Sequence, residues 1–419
     1  MTVPLLDIND CILQLWGSGP VQQSPGYALL EGREYRFGNR ARGSARLRPR
    51  DINNRFWWQL SVEPLQPALG PARHTADLVH AHLKQIHSDA GEPTELLLAC
   101  PGSMQREQLS LLLGIVQQCP FDVVGLVNRS ALIASLHSGP GRTFHLELQL
   151  HQALLTELAR HGDDMVVQRS VPLPGCGLLQ LQERLVEVIA SAFIRQTRFD
   201  PRRKADTEQQ LYDALPQALQ TLASSAECNI EVNGYRTRVV AADMASAGQR
   251  LFNAAGESMG SLSPADRVVV DPLVALLPDL ANRFPEAKVA VADALWQAAQ
   301  QHGDNLLNRD GPLSFVNALP CLAVDTSEPI EPLTLEPAPP VVVQPTHLLT
   351  GATATALTAG MQPAPGLELK LEGAKWHLAG EGELNGRAIE GHQALVAGDR
   401  LKAADGSEFQ LIAVVSGGS

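Results

Sequence analysis

Apolar runs and polar breaks alternate along residues 1–325, and their periods predict a succession of strands and helices. An unbroken short apolar run is typical of a buried strand, whereas apolar residues recurring every three or four positions indicate a helix. The predicted strands span residues 3–8, 11–16, 95–100, 122–127, 143–150, 152–158, 229–232, 236–240 and 267–270. The predicted helices span residues 74–87, 105–118, 130–138, 178–197, 205–224, 245–255 and 289–301. This alternation predicts an α/β fold with a largely parallel centre.

Residues typical of turns indicate where several of the predicted strands and helices are connected. Asn9-Asp10 predicts a tight turn between the first two strands, and Asn233-Gly234 predicts a two-residue hairpin turn. The run Gly256-Glu-Ser-Met-Gly260 has the spacing of a nucleophile elbow. Because a helical pattern precedes it instead of a strand, we predict that Gly256 ends a helix and flanks no catalytic serine.

Two changes in composition divide the rest of the chain. Prolines recur through residues 329–345 and small residues follow, so residues 326–364 are predicted to form an extended linker. Residues 365–419 return to short apolar runs separated by glycine turns, which predict a small all-β module. The sequence therefore predicts an α/β domain over residues 1–325, a linker over 326–364 and a β module over 365–419.

Charge and cysteine usage narrow the functional classes. The chain has 33 Lys and Arg against 45 Asp and Glu, a formal charge of −12, which disfavours nucleic acid and anionic membranes as partners. No apolar run is long enough for a membrane span, and the first residues lack the features of a signal peptide. Six scattered cysteines indicate reduced thiols, and His80, His82 and His87 do not share a helix face for a metal. We therefore expect a cytoplasmic protein without a metal site.

Several short sequence segments along residues 1–325 are informative through their order. They are Gly38-Asn-Arg-Ala41, Leu96-Leu-Leu-Ala-Cys-Pro101 with Gln105-Arg106, Gly125-Leu-Val-Asn128 with Ala131-Leu-Ile-Ala134, the helical pair ending at Ser225, Asn229-Ile-Glu-Val232 and Val289-Ala-Val-Ala-Asp-Ala-Leu-Trp296. In this order they resemble the nucleotide-binding domain of DnaK-type heat-shock chaperones, which belongs to the actin-like superfamily. The resemblance implies a two-lobed, actin-like ATPase fold with a cleft between the lobes.

The first phosphate-binding turn of that family is altered in this chain. In family members the cleft holds ATP and magnesium between glycine-rich turns, because backbone N–H groups must approach phosphate without a Cβ in the way. Here Asp7 is kept, but Asn9 stands in place of glycine, and Asp10 and Cys11 replace a pair of hydroxyl residues. Asp10 would place a negative charge beside phosphate, which disfavours nucleotide binding.

The other nucleotide-holding positions depart in the same direction. The second turn corresponds to Glu147-Leu-Gln149-Leu-His-Gln152, which has no glycine, and Arg129 replaces an acidic residue that helps hold metal and water. On the adenine side, Pro216 and Leu219 replace a Glu-x-x-Lys pair, and Asp271-Pro-Leu-Val-Ala275 replaces a glycine-rich loop. The resemblance therefore implies a degenerate cleft with no catalytic residue, no cofactor and no metal; ATP with magnesium is the alternative.

The C-terminal module carries a second resemblance. Leu384-Asn-Gly-Arg-Ala-Ile389, Gly398-Asp-Arg-Leu401 and Phe409-Gln-Leu-Ile412 are similar to the second half of a forkhead-associated domain, although residues 367–415 are too few for the full sandwich. The resemblance places Asn385 near a ligand, but Asn385-Gly386 is also typical of a tight turn. The candidate partner-binding residues are Lys375, His377, Asn385 and Arg387.

Three hypotheses for function follow. The first is a non-catalytic, chaperone-like scaffold or adaptor, a pseudo-ATPase that binds other proteins. The second is an ATP-binding, chaperone-like protein with weak ATPase activity. The third is an adaptor that binds phosphopeptides through its C-terminal module. We expect protein partners, no nucleic acid and no membrane span.

Overall fold

A computed structural model describes residues 3–322 and 344–414, apart from positions 352, 374 and 390. The described residues fall into two compact units, one over 3–322 and one over 344–414. None of the helices in these ranges is both long enough and apolar enough to cross a membrane.

The first unit is a mixed α/β domain whose strands are short and mostly buried. Its strands are β1 (Leu5–Asp7), β2 (Leu13–Trp16), β3 (Gln22–Ser24), β4 (Ala28–Glu31), β5 (Glu34–Phe37), β6 (Ile52–Asn53), β7 (Pro64–Leu69), β8 (Ala72–His74), β9 (Glu95–Cys100), β10 (Asp122–Asn128), β11 (Thr143–Leu148), β12 (Gln152–His161), β13 (Asp164–Pro174), β14 (Glu227–Val232), β15 (Tyr235–Val240), β16 (Arg267–Val270), β17 (Lys288–Val289), β18 (Phe315–Val316) and β19 (Ala318–Pro320).

Helices of very different length connect these strands. They are α1 (Gly38–Arg42), α2 (Thr75–Asp89), α3 (Arg106–Val116), α4 (Arg129–Leu136), α5 (Leu178–Thr197), α6 (Ala205–Ser224), α7 (Ala241–Met259), α8 (Pro272–Ala275), α9 (Leu280–Arg283) and α10 (Ala294–His302), with 3₁₀ turns at Pro49–Asp51, Pro201–Arg203 and Gly303–Leu306. The bounds of α5 and α6 coincide with the predicted helices, because both carry a continuous apolar stripe.

Two six-stranded sheets organise the first unit, and five strands of each follow the same order. Sheet 1 has the order β18-β10-β9-β1-β2-β3, and sheet 2 has the order β17-β16-β11-β12-β13-β19. In each sheet a three-stranded antiparallel meander, β1-β2-β3 or β11-β12-β13, is extended by two parallel strands beside its first strand. The same five-strand arrangement therefore occurs twice in this unit.

Apolar side chains cover both faces of these sheets. One core, which includes Leu6 and Leu83, packs sheet 1 against α2 and α3. A second joins the two sheets, since it combines Leu97 of sheet 1 and Val269 of sheet 2 with residues of α4 and α10. A third, around Phe144, packs sheet 2 against α7. Burial on both faces explains why the parallel strands are continuous apolar runs.

The second unit is an all-antiparallel β region. Its strands are β20 (His347–Thr350), β21 (Thr353–Ala356), β22 (Met361–Ala364), β23 (Leu367–Glu372), β24 (Lys375–Gly380), β25 (Gly382–Leu384), β26 (Arg387–Ala388), β27 (Gln393–Ala394), β28 (Arg400–Ala403) and β29 (Glu408–Ile412). They form a sheet of order β21-β20-β29-β28-β25-β26 and a sheet of order β22-β23-β24-β27. Leu369, Leu378 and Leu411 are fully buried in one core drawn from both sheets.

The predicted linker is wrong over its C-terminal part. Residues 326–343 lie outside the described residues, but β20, β21 and β22 all fall within the segment assigned to the linker. β20 pairs with β29, so the β region begins well before residue 365. The small, exposed side chains of β21 hid the strand, because its stabilisation comes from pairing with β20 and not from an apolar pattern of its own.

Three local predictions also differ from the structure. The first turn is centred on Asp10-Cys11, because the Ile12 N–H donates to the Asn9 carbonyl at 3.0 Å. Helix α7 runs through Gly256 and ends at Met259, and the φ of 66° at the following Gly260 suits glycine. The last predicted helix starts five residues late, at Ala294, because residues 288–289 form β17 beside β16. The Asn233-Gly234 turn is confirmed, with positive φ at both residues.

Candidate functional site

Charged side chains converge at the carboxyl ends of the central strands of both sheets. Asp7 ends β1, Arg129 follows β10, Asp271 follows β16, and Glu147 lies near the end of β11. All four are buried. The carboxyl ends of parallel strands are the usual location of binding sites in α/β proteins, because the chain reverses direction there and leaves a crevice. This group is the central feature of the candidate site.

Arg129 is paired with all three carboxylates. Its Nε and Nη2 donate to the two oxygens of Asp7 at 3.0 and 3.1 Å. Its Nη1 donates to Glu147 at 2.6 Å and to Asp271 at 2.9 Å. The guanidinium therefore lies between sheet 1 and sheet 2 and forms ion pairs with carboxylates from both. Its planar set of donors suits this task better than a point charge would.

Burial and charge oppose each other in this cluster. Burial raises the pKa of Asp7 to about 6, although Arg129 partly counters it. Burial also raises the pKa of Asp271, but Arg129 and His145 outweigh that effect and lower its pKa to about 2. For Arg129, burial is outweighed by the three carboxylates, so its pKa lies well above its usual range. The guanidinium is therefore permanently charged, and it balances only part of the negative charge around it.

Three further polar residues belong to the cluster. His145 Nε2 lies 2.9 Å from Asp271, and its Nδ1 lies 2.8 Å from the Ser130 hydroxyl. Gln149 donates to Glu147 at 3.0 Å. The sequence predicts Gln149 as a site residue, but it does not single out His145 or Ser130. The alternation along β11 does carry information, because it places His145 and Glu147 on one face of the strand and apolar residues on the other.

The β1-β2 turn and the β11-β12 turn bind each other directly. Asn9 Nδ2 donates to the Leu148 carbonyl at 2.9 Å, and the Leu150 N–H donates to the Asp10 carboxylate at 2.8 Å. These bonds join the β1-β2 turn of sheet 1 to the β11-β12 turn of sheet 2. Burial raises the pKa of Asp10 to about 7. The space between the turns is therefore bridged by protein groups.

The first N–H groups of α5 are also engaged. Those of Leu178 and Leu179 donate to the carbonyls of Gln149 and Leu150 at 2.9 and 3.0 Å. A Cβ on the preceding Gly177 would approach the backbone of His151 to 2.3 Å, so the close contact requires glycine there. A helix N-terminus normally offers such donors to anions. Here these N–H groups donate to carbonyls of the β11-β12 turn.

The cluster contains groups that can ligate a metal. In the described part of the chain, His145, Glu147 and Asp271 offer ligand atoms within 4.8 Å of one another. Arg129, however, already donates to carboxylate oxygens of both Glu147 and Asp271. Magnesium requires a shell of oxygen ligands and water, which a guanidinium in contact with these oxygens obstructs. With Arg129 in this position, the residues do not fit magnesium.

The two residues predicted on the adenine side are separated. Pro216 lines a cavity of about 480 Å³ that is bounded by residues 42–55 and by α5 and α6. Leu219 instead is buried in the hydrophobic core that α5 and α6 form with β14 and β15. Pro216 therefore lines a cavity, whereas Leu219 packs in a hydrophobic core.

The candidate partner-binding residues of the C-terminal unit are distributed over its two sheets. Lys375 and His377 lie on β24, whereas Asn385 and Arg387 lie at the β25-β26 turn of the other sheet. The Asn385 side chain donates to Asp399 at 2.8 Å and accepts from the Arg400 N–H at 2.9 Å. Its φ of 53° and that of 79° at Gly386 are typical of a tight hairpin turn. Asn385 therefore has a structural role.

Comparison with known proteins adds no assignment. No protein-family model matches the chain, and no curated protein matches it significantly.

Proposed function

We propose that this protein is a non-catalytic, chaperone-like scaffold on a two-lobed, actin-like ATPase fold, and that it acts by binding other proteins. The observation that carries the proposal is the position of Arg129 among Asp7, Glu147 and Asp271. Three carboxylates from two sheets would form a site for a divalent cation in an ATPase. A guanidinium supplies the positive charge but no coordination position for an attacking water.

The repeated strand order supports the fold in this proposal. The same five-strand arrangement in sheets 1 and 2 is expected of two related lobes, and the charged cluster lies where the equivalent first strands of both sheets end. The resemblance of residues 1–325 to DnaK-type chaperones implies that arrangement. Asp7 on β1 and Glu147 on β11 then occupy related positions in the two lobes.

The engaged backbone groups support the loss of nucleotide binding. The turn that carries Asn9 and Asp10 is hydrogen-bonded to the β11-β12 turn. Carbonyls of the β11-β12 turn also accept hydrogen bonds from the first N–H groups of α5. A triphosphate would have to break these bonds and approach the Asp10 carboxyl. The free energy of phosphate binding would then be offset by the lost hydrogen bonds and by charge repulsion.

Isothermal titration of ATP and magnesium into the full chain tests the non-catalytic part of the proposal. We expect no binding heat up to millimolar nucleotide and no phosphate release above the buffer rate. Saturable binding with micromolar affinity would contradict the proposal and favour a chaperone-like ATPase. The Arg129→Ala variant, titrated in parallel, shows whether the guanidinium is what excludes magnesium.

Affinity capture tests the scaffold part. The full chain is immobilised, exposed to cytoplasmic extract, and washed with or without ATP and magnesium. We expect specific partners to be retained equally under both conditions. Partners released by ATP would contradict a nucleotide-independent scaffold, and a complete lack of retained partners would contradict scaffolding itself.

The C-terminal unit is proposed as a docking module of the same protein. Over the described residues between 344 and 414, ten antiparallel strands in two sheets support the resemblance to a forkhead-associated domain. Recognition of phosphopeptides is less favoured, because the Asn385 side chain is engaged by Asp399 and Arg400. Titration of phosphothreonine peptides into the full chain separates the two ideas, since saturable binding would favour the phosphopeptide adaptor.

A further inference from the structure

The cavity lined by Pro216 is not filled by protein groups, whereas hydrogen bonds bridge the space between the β1-β2 and β11-β12 turns. Its volume is about 480 Å³. Trp58 stacks on His151 with ring centroids 5.0 Å apart. His151 lines this cavity, whereas Trp58 lines a smaller one of about 220 Å³ next to Asp10. The stacked pair therefore separates the larger cavity from the Asp10 turn.

Positive charge predominates on the wall of the larger cavity. Arg42, Arg46 and Arg55 line it, against Glu183 and Asp213. Burial raises the pKa of Asp213, and a hydrogen bond from Gln209 and the charge of Arg42 partly counter it. In a chain with a formal charge of −12, a cavity with more arginines than acids is a local exception. Guanidinium groups bind carboxylates and phosphates through paired hydrogen bonds, so this wall suits an anion.

One of the arginines is held in place by the opposite wall. The guanidinium of Arg46 lies 3.8 Å from the centre of the Tyr212 ring and 3.8 Å from the Glu208 carboxylate. Its backbone N–H donates to Gln209 at 2.8 Å. These contacts limit the rotamers of Arg46, so less entropy is lost when a ligand binds. Arg55, by contrast, is exposed and makes no ion pair within the described residues.

Neutral hydrogen-bonding groups complete the lining. Gln66, Gln180 and Gln182 line the cavity together with Tyr27. Burial raises the pKa of Tyr27, so its hydroxyl remains a donor at neutral pH. Amides and a phenol can each bind hydroxyl or carbonyl groups of a ligand. The volume is typical of a small-molecule site.

We propose that this cavity binds a small organic anion, a polar molecule carrying a phosphate or carboxylate group that Arg46 and Arg55 recognise. The ligand's hydroxyl or carbonyl groups would face the amides, and its anionic group would face the arginines. The anion is smaller than a nucleoside triphosphate. Its binding does not require the N–H groups at the start of α5, which are hydrogen-bonded to the β11-β12 turn. The site would make the scaffold responsive to a metabolite and not to ATP.

Isothermal titration of the full chain with three probes tests the proposal. Glucose 6-phosphate represents the phosphate source, citrate the carboxylate source, and glucose the uncharged body without an anion. We expect saturable binding of glucose 6-phosphate or citrate and none of glucose. Binding of neither anion at millimolar concentration would overturn the proposal, as would equal binding of glucose.

Three arginine variants locate the binding. Arg55→Gln should weaken binding of the anion roughly tenfold, since it removes a charge-assisted hydrogen bond without disturbing an internal contact. Arg46→Gln should weaken it at least as much. Arg33→Gln removes the same charge from an exposed turn and should leave the affinity unchanged. An equal loss in all three variants, or no loss in Arg55→Gln, would overturn the assignment to this cavity.

Discussion

The carboxylate of Asp10 accepts a hydrogen bond from the backbone N–H of Leu150 at 2.8 Å and so joins the first hairpin of sheet 1 to the first hairpin of sheet 2. The two residues are 140 positions apart in the chain. Asp10 is buried, and burial raises its pKa to about 7. A junction between two sheets therefore depends on a carboxyl that titrates close to neutral pH.

This titration predicts that stability falls as pH rises from about 4 to 7. The pKa of Asp10 is about 7 in the folded chain, above the ordinary value of 3.8, so the folded state binds more protons in that window. The contribution is present below the unfolded pKa and lost as pH rises through the folded pKa. Asp10→Asn should remove this loss, and unfolding by urea at pH 5 and pH 8, followed by tryptophan fluorescence, measures it.

The comparison between variants isolates Asp10 from the other titrating groups. The difference in unfolding free energy between pH 5 and pH 8 should be smaller in Asp10→Asn than in the wild type. Asp122→Asn changes an exposed carboxyl and should behave like the wild type. If Asp10→Asn keeps the full pH dependence, Asp10 is not the group responsible.

Arg129→Met should destabilise the first unit by about 3–5 kcal/mol, because it leaves buried carboxylates without their cation. The affected carboxylates are Asp7, Glu147 and Asp271. Methionine keeps much of the side-chain volume, so the effect reports charge and not a cavity. Urea unfolding at neutral pH measures the change, and Arg195→Met, at an exposed position, should alter stability by less than about 0.5 kcal/mol.

Removing the guanidinium should also create a metal site. In Arg129→Ala, the ligand atoms of His145, Glu147 and Asp271 are left close together without the cation that pairs with the two carboxylates. We expect manganese or zinc to raise the thermal midpoint of this variant, since the metal binds only the folded state. The wild type should show no such increase. A variant that is equally unresponsive would mean that the ligands do not converge once Arg129 is gone.

Asn385→Ala should loosen the C-terminal unit by about 1–3 kcal/mol, because Asp399 and the Arg400 N–H lose a partner. Hydrogen exchange of the full chain should accelerate over residues 382–403 while the first unit stays protected. Lys375→Ala, an exposed change on β24, is the matched control and should leave exchange unaltered. Unchanged exchange in Asn385→Ala would show that these bonds carry no stability.

Much of the first unit could be predicted because its elements are locally encoded. Helices α5 and α6 repeat apolar residues at helical spacing over 20 residues each, and the pattern needs no tertiary information. The buried strands β9 and β10 are equally direct. β17 was missed because two residues carry no periodicity, and β21 because small exposed residues carry no apolar alternation.

The candidate site could be predicted only in part. Asp7, Asn9, Asp10, Arg129, Glu147 and Gln149 were named from local phrases, and the structure brings them to adjoining strand ends and turns. The alternation along β11 places His145 on the same face as Glu147, but it does not identify the distant partner Asp271. Leu219 packs in the core, and a position on a helix does not by itself tell which face of that helix is turned to the core.

The sequence by itself determined where strands and helices form, since periods of about 2 and 3.6 residues are properties of neighbouring positions. The sequence also determined that the turn after Asp7 and the turn after Glu147 contain no glycine. Only the tertiary structure decided what replaces the missing groups. Arg129 meets Asp7 across 122 positions and Asp271 across 142, and no local rule relates residues so far apart. Their meeting depends on how the two sheets pack, because that packing brings the strand ends within hydrogen-bonding distance.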